Sequence, residues 1–259
     1  HHLGARRATE ILVGSATQKA NYGSTFWPSP QTSWVWPPLA AIDSAPYAPT
    51  AEETSFTLVG AKVNDATKAE VDGLSVTKTF APDFAKGAVV ITYVLKNEGT
   101  AAKKLAPWEI TRVGAGGLTF YPSDGTPTGT NLPPLEQALG CTWFKHDANS
   151  VTKDAKLFQD GKGWVAHVTP ENMLLVKTFP DIKATEAAPK EAEIEIYEAH
   201  PADPKVAYIE VENQGAYSDI PAGQELSLTV RWYLRTLPAE VKATVGDAGL
   251  LAYVKKVIE

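Results

Sequence analysis

Along most of the chain apolar and polar residues alternate in short runs, and turn-forming residues separate the runs. Strand-like runs cover residues 55–63, 74–80, 88–95, 164–168, 174–179, 192–197, 206–212 and 226–234. Most are rich in β-branched and aromatic side chains, which fit a pleated, half-buried surface. Asn97-Glu98-Gly99 and Pro221-Ala222-Gly223 punctuate them as turns. The pattern predicts antiparallel β structure throughout. Only the end of the chain differs: Pro238 stands near a helix start, and Val241, Val245, Leu250, Leu251, Val254 and Ile258 recur at roughly helical spacing. That predicts a helical cap over about 239–258, which Gly246 and Gly249 can divide in two.

Three segments lack the alternation. Residues 21–38 read Asn-Tyr-Gly-Ser-Thr-Phe-Trp-Pro-Ser-Pro-Gln-Thr-Ser-Trp-Val-Trp-Pro-Pro. Prolines at 28, 30, 37 and 38 fix φ and donate nothing to a ladder, so the segment is expected to be a rigid irregular loop. It carries Trp27, Trp34 and Trp36, with Asn21 and Gln31 among them. Flat aromatic faces with amides between them suit a sugar ring, which has apolar C–H faces and a rim of hydroxyls. The same indoles would equally plug one end of a β-sandwich, each N–H finding a carbonyl. Residues 114–134, rich in Gly, Pro, Ser and Thr, are expected to form a long loop, and the Ala/Lys/Glu-rich stretch 183–193 a solvated surface crossing.

The chain has 259 residues, of which 44% are hydrophobic and 21% charged, enough to bury a full core. All-β sandwiches run to this size undivided, so one domain over 1–259 is expected. The net charge is −6 with no Lys/Arg cluster longer than a pair, which argues against nucleic acid as a partner. No apolar run approaches the roughly 20 residues of a transmembrane helix. Cys141 is the only cysteine, excluding an intrachain disulfide or a zinc site of several thiolates. His1 and His2 are not read as a metal site. Without His-Glu-x-x-His, a calcium loop, Gly-x-Ser-x-Gly or a phosphate-binding glycine loop, neither a metal nor a cofactor is predicted.

Tyr208, Glu210 and Glu212 alternate, so they share one face of a strand, with Ile209 and Val211 on the other. Neighbouring carboxylates repel, which raises a pKa toward the range a general acid or base uses. A strand with one solvated polar face has the same spacing. Arg112, after Trp108-Glu109-Ile110-Thr111, can hold a carboxylate or a sugar hydroxyl in a planar fork, or pair with Glu109 or Glu212. His146 lies near Trp143 and His167 near Trp164, and either histidine can titrate near neutrality.

The order of these motifs resembles the galactose mutarotase-like (aldose 1-epimerase) supersandwich, and most closely a bacterial branch of it described as a domain of unknown function. The resemblance rests on Asn21-Tyr22-Gly23, Trp27-Pro28-Ser29-Pro30-Gln31, Trp34-Val35-Trp36-Pro37-Pro38, Trp108 to Arg112, Gly163 to His167, Tyr208 to Tyr217 and Val230 to Leu234. It implies a large antiparallel β-supersandwich with a short C-terminal helix, and a mono- or oligosaccharide ligand, neutral or acidic. It also implies export to the periplasm or cell exterior, with any leader absent from this chain. Val211-Glu212-Asn213-Gln214 is similar to the mutarotase strand whose glutamate takes the anomeric proton, which makes Glu212 the catalytic candidate. Thr111-Arg112 stands where mutarotases have Asn-His, whose histidine is the general acid. Arginine is too weak an acid for that step. Arg112 is left to stabilise charge or bind a carboxylated sugar, and His167 or His146 to supply a proton. Asn21, Trp27, Gln31, Trp34, Trp36, His146, Trp164 and Glu210 are the expected sugar contacts. Three readings follow: a carbohydrate-binding protein, an active sugar-processing enzyme with Glu212 as base, and a non-catalytic envelope interaction domain.

Overall fold

Alternation along the strands becomes two antiparallel sheets packed face to face. The computed structural model describes residues 4–5, 9–14, 21–147 and 153–259; His1 and His2 lie outside them. In chain order the strands are β1 (Gly4–Ala5), β2 (Thr9–Glu10), β3 (Ser24–Ser29), β4 (Ala48–Ala51), β5 (Phe56–Val59), β6 (Leu74–Asp83), β7 (Ala88–Asn97), β8 (Lys103–Gly114), β9 (Gly117–Pro122), β10 (Thr128–Thr130), β11 (Glu136–Ala138), β12 (Cys141–His146), β13 (Ala155–Gln159), β14 (Trp164–Val168), β15 (Met173–Thr178), β16 (Ile194–Ala199), β17 (Tyr208–Gln214), β18 (Ser218–Ile220) and β19 (Glu225–Thr236). The helices are α1 (Ala40–Asp43) and α2 (Ala248–Ile258).

The smaller sheet has seven strands in the order β10-β13-β16-β17-β8-β18, with β3 pairing along the free side of β8. The larger has ten, in the order β11-β12-β9-β14-β15-β19-β7-β6-β5-β4. Between them lies the main core. Ile209 and Val211 of β17 point into it, as the alternation predicts, and Phe26 of β3 stacks on Tyr93 of β7 at 4.6 Å between ring centroids. A second apolar cluster forms where α2 covers the outer face of the larger sheet, joining Leu250 and Val254 to Phe120, Trp143 and Trp164.

Four expectations change. The segment expected to be an irregular loop begins as strand β3, in which Pro28 faces Pro107 of β8. Among the described residues nothing pairs with the other side of β3, and an edge tolerates a residue without an N–H. Residues 114–134 are not one loop, since β9 is a fully paired strand between β12 and β14, with β10 following it. The helical cap begins at Ala248 rather than near 239, because Asp247 is its N-cap and accepts from the Leu250 N–H at 2.7 Å. Val241 and Val245 still pack on the α2 cluster, but from an irregular segment. The stretch 183–193 is only partly solvated, since Ala188 and Glu193 are buried. Among the described residues no helix is long and apolar enough to cross a membrane.

Candidate functional site

β8 and β17 are paired so that Arg112 stands opposite Glu210, and Gln214 opposite Trp108. On the face turned away from the main core, Arg112 Nε donates to Glu210 Oε1 at 2.7 Å and Nη1 to Thr25 Oγ1 at 3.2 Å. The guanidinium carbon lies 5.4 Å from the centre of the Trp27 ring. Arg112 is 1% exposed, yet its Nη2 has no partner among the described residues.

Glu212 follows on the same face and is fully buried. Its Oε2 accepts from Trp108 Nε1 at 2.8 Å and its Oε1 from Lys156 Nζ at 2.6 Å. Lys156 also lies 2.7 Å from Glu195 Oε2, so one ammonium serves two buried carboxylates. Burial raises the Glu212 carboxyl to about 8 against the pull of Lys156, with Glu195 and Glu210 adding to the rise. Glu195 is likewise raised to about 8 by burial, opposed by Lys156.

The sign of this shift gives a pH dependence. A carboxyl raised above its ordinary 4.5 keeps its proton in the folded chain and loses it in the unfolded one, so stability falls as pH rises toward 8. Burial lowers the pKa values of His146 and His167, so they titrate below this window. The unfolding free energy from urea titration should therefore fall between pH 6.5 and 8, by about 1.4 kcal/mol per pH unit for each extra bound proton. Glu195→Gln should flatten that slope. An unchanged slope in this variant would remove the carboxyl pair as its source.

A second network crosses the main core. Lys177 of β15 donates to Glu109 Oε2 of β8 at 2.6 Å, to Thr111 Oγ1 at 3.2 Å and to the Val211 carbonyl at 2.7 Å. Glu109 also accepts from Ser24 Oγ at 2.9 Å and Thr111 Oγ1 at 2.6 Å. Both charged side chains are fully buried.

Beside these networks a cavity of about 770 Å³ opens between the edge strand β3 and the inner face of β5, β6, β7 and β19. Asn21, Thr25 and Arg112 line one side, and Lys78, Tyr93 and Trp232 the other. The Lys78 ammonium lies 4.7 Å from the centre of the Tyr47 ring. Burial brings its pKa down to about 8, partly offset by Asp43 and Glu109. Trp232 Nε1 is buried with no partner among the described residues.

No protein-family model and no curated protein matches the sequence. Among solved structures, a galactose mutarotase-like protein from Lactobacillus casei superposes with a TM-score of 0.58 at 11% identity, over 88% of this chain and 90% of that one. A galactose mutarotase-like protein from Clostridium acetobutylicum gives 0.50 at 9% identity, over 86% and 82%. The chain has the galactose mutarotase-like fold. A TPR-domain containing protein from Parabacteroides distasonis gives 0.56 at 11% identity over 92% of this chain, which spans 44% of that protein's length.

The mutarotase-like fold distributes the residues singled out in the sequence over several places. Only Arg112 and Asn21 line the large cavity. Glu210 and Trp27 flank Arg112 from behind, and Trp27 donates to Asp43 Oδ1 at 2.8 Å. Trp34 is 1% exposed and donates to the Pro28 carbonyl at 2.7 Å, the plug arrangement rather than an open platform. Trp36 is 54% exposed and meets Trp27 edge-on. Gln31 is half-buried, and its backbone N–H donates to Glu191 Oε1. Glu212 lies on the Arg112 face but outside the cavity lining, on a buried face rather than a solvated one.

His146 and His167 lie on the larger sheet, bridged by Thr119 Oγ1 at 2.7 and 2.9 Å, with His146 Nδ1 3.5 Å from Glu198 Oε2. Neither touches Glu212 or lines the cavity, so the proton donor expected beside Glu212 is not there. Trp164 faces the α2 cluster on the far side of that sheet, where a sugar in the cavity cannot reach it. Lys78, Trp232, Lys156 and Lys177 were not anticipated. Lys78 and Lys177 had a legible signal, since each falls in the inward phase of its strand, after Leu74 and Val76 or after Met173 and Leu175.

Proposed function

We propose that the chain is a carbohydrate-binding protein, one mutarotase-like domain whose sugar site is the cavity between β3 and the larger sheet. The observation that carries this reading is the lining itself. About 770 Å³ is in the range of small-molecule sites, and the lining joins the exposed rings of Tyr22 and Phe56 and the buried rings of Tyr93 and Trp232 to polar groups from Asn21, Thr25, Arg112 and Lys78. In this reading Arg112 and Asn21 are sugar contacts, while Glu210 and Trp27 hold the Arg112 guanidinium in place. Binding is favoured over turnover because both Glu212 oxygens are occupied and its side chain has no exposed surface. A base must reach the proton it abstracts, within about 3 Å or through one water.

Calorimetric titration of neutral hexoses, sugar acids and short oligosaccharides into the parent and Trp232→Phe tests the assignment. Saturable binding to one class is expected, weakened about tenfold in Trp232→Phe, with the stability of the variant close to that of the parent. The substitution removes an N–H that no described residue accepts and keeps most of the ring. If no sugar in the panel binds the folded parent, the carbohydrate reading falls and the interaction-domain reading takes its place.

A further inference from the structure

The cavity is asymmetric in its hydrogen-bonding capacity. Arg112 Nη2 is buried and has no acceptor among the described residues, and Trp232 Nε1 is in the same state. The Lys78 ammonium rests against the Tyr47 ring and has neither a hydrogen-bonded nor an ion-paired acceptor among them. Its acidic neighbours are engaged elsewhere: Glu109 is paired with Lys177, and Asp43 accepts from Trp27. Arginine, lysine and indole nitrogens only donate. Asp43 and Asn21 also line the cavity, but the two lining atoms that are buried without a partner are both donors, and with the Lys78 ammonium they call for a ligand rich in acceptors, whereas a neutral sugar hydroxyl brings a donor of its own with each acceptor. An oxyanion does not.

The strand register also sets a size. Lys78 stands opposite Tyr93 on β7 and Trp232 opposite Val89, on strands that flank β7 from either side. Four residues along the strands correspond to roughly 13 Å, and the two strand spacings to roughly 10 Å. A free inorganic anion cannot bridge groups so placed, whereas a sugar carrying a charged group can meet both ends.

We propose that the cavity selects a sugar bearing an oxyanion, a carboxylate or a phosphate, which the Lys78 and Arg112 side chains receive while Trp232 donates to the far end of the ring. This inference rests on the carbohydrate reading above and narrows its ligand class. Lys78 is faced by Asp43 from α1, Tyr47 from the segment after it, Tyr93 from β7 and Glu109 from β8. Its pKa of about 8 makes the preference pH-dependent, because the ammonium that receives the anion is lost as pH rises above that value.

The test compares galactose, galacturonate and a hexose phosphate by calorimetry at pH 7 and pH 9, on the parent, Lys78→Met and Lys78→Arg. At pH 7 the parent should bind at least one charged sugar about tenfold or more tightly than galactose, and the preference should shrink several-fold at pH 9. Lys78→Met should lose the preference, binding the charged sugars no more tightly than galactose, whereas Lys78→Arg should retain the preference at both pH values. Whichever charged sugar binds identifies the oxyanion as carboxylate or phosphate. Equal affinity for neutral and charged sugars, or an undiminished preference in folded Lys78→Met, overturns this inference and leaves the carbohydrate reading standing. Failure of all three sugars to bind overturns this inference, and silence of the wider panel of hexoses, sugar acids and oligosaccharides overturns the carbohydrate reading as well.

Discussion

Lys177→Met is expected to destabilise the fold by about 3–5 kcal/mol, because it strands the buried Glu109 carboxylate without its cation. Lys177 and Glu109 meet at 2.6 Å with neither side chain exposed, one on each sheet, so water cannot replace the lost partner. Ser24 and Thr111 would still donate to Glu109, but two hydroxyl bonds do not offset a desolvated charge. Met matches the length of the lysine stem, so the loss reports charge rather than a cavity. Adding Glu109→Gln to the same chain should recover much of the stability, since a neutral amide costs far less to bury than an unpaired carboxylate. Urea unfolding of the parent, the single and the double variant measures this. A single-variant loss below about 1 kcal/mol would mean that solvent reaches Glu109 after all.

The tryptophan segment supplies the second large effect. Trp34→Ala should cost about 3–5 kcal/mol, the usual range for emptying a fully buried aromatic position. Its ring packs edge-to-face on Trp27 at 5.6 Å, and its N–H satisfies the Pro28 carbonyl, so packing and a buried hydrogen bond are lost together. Trp36, two residues on, is more than half exposed and should cost no more than about 0.5 kcal/mol when truncated. Denaturant midpoints of the two variants separate a plug from a platform. Comparable, small losses would show that Trp34 is not held in the core.

The same segment shows how far sequence reading reaches. The prolines at 28, 30, 37 and 38 pointed to a rigid irregular loop, yet the first half of the segment is strand β3, because an edge of β8 was free to accept it. Proline is barred from a central ladder and not from an edge. Likewise the face shared by Glu210 and Glu212 followed from spacing, while its environment did not. Spacing gave no sign that Lys156, 56 residues away, would close over Glu212 or that Trp108 would donate to it. The inward lysines at 78 and 177 were the missed signal, a charge in the apolar phase of a strand marking a buried partner at Lys177 and a cavity at Lys78.

Sequence by itself determined the β class, the two faces of β17 and the inward phase of the core strands, because a pleated strand alternates whatever it pairs with. Only the tertiary structure decided which strand lies at an edge, which charges are paired across the sheets, and that a cavity opens beneath β3 beside Arg112 and Lys78. Those outcomes depend on contacts between residues far apart in the chain and on the loss of water around them, and no local pattern encodes either.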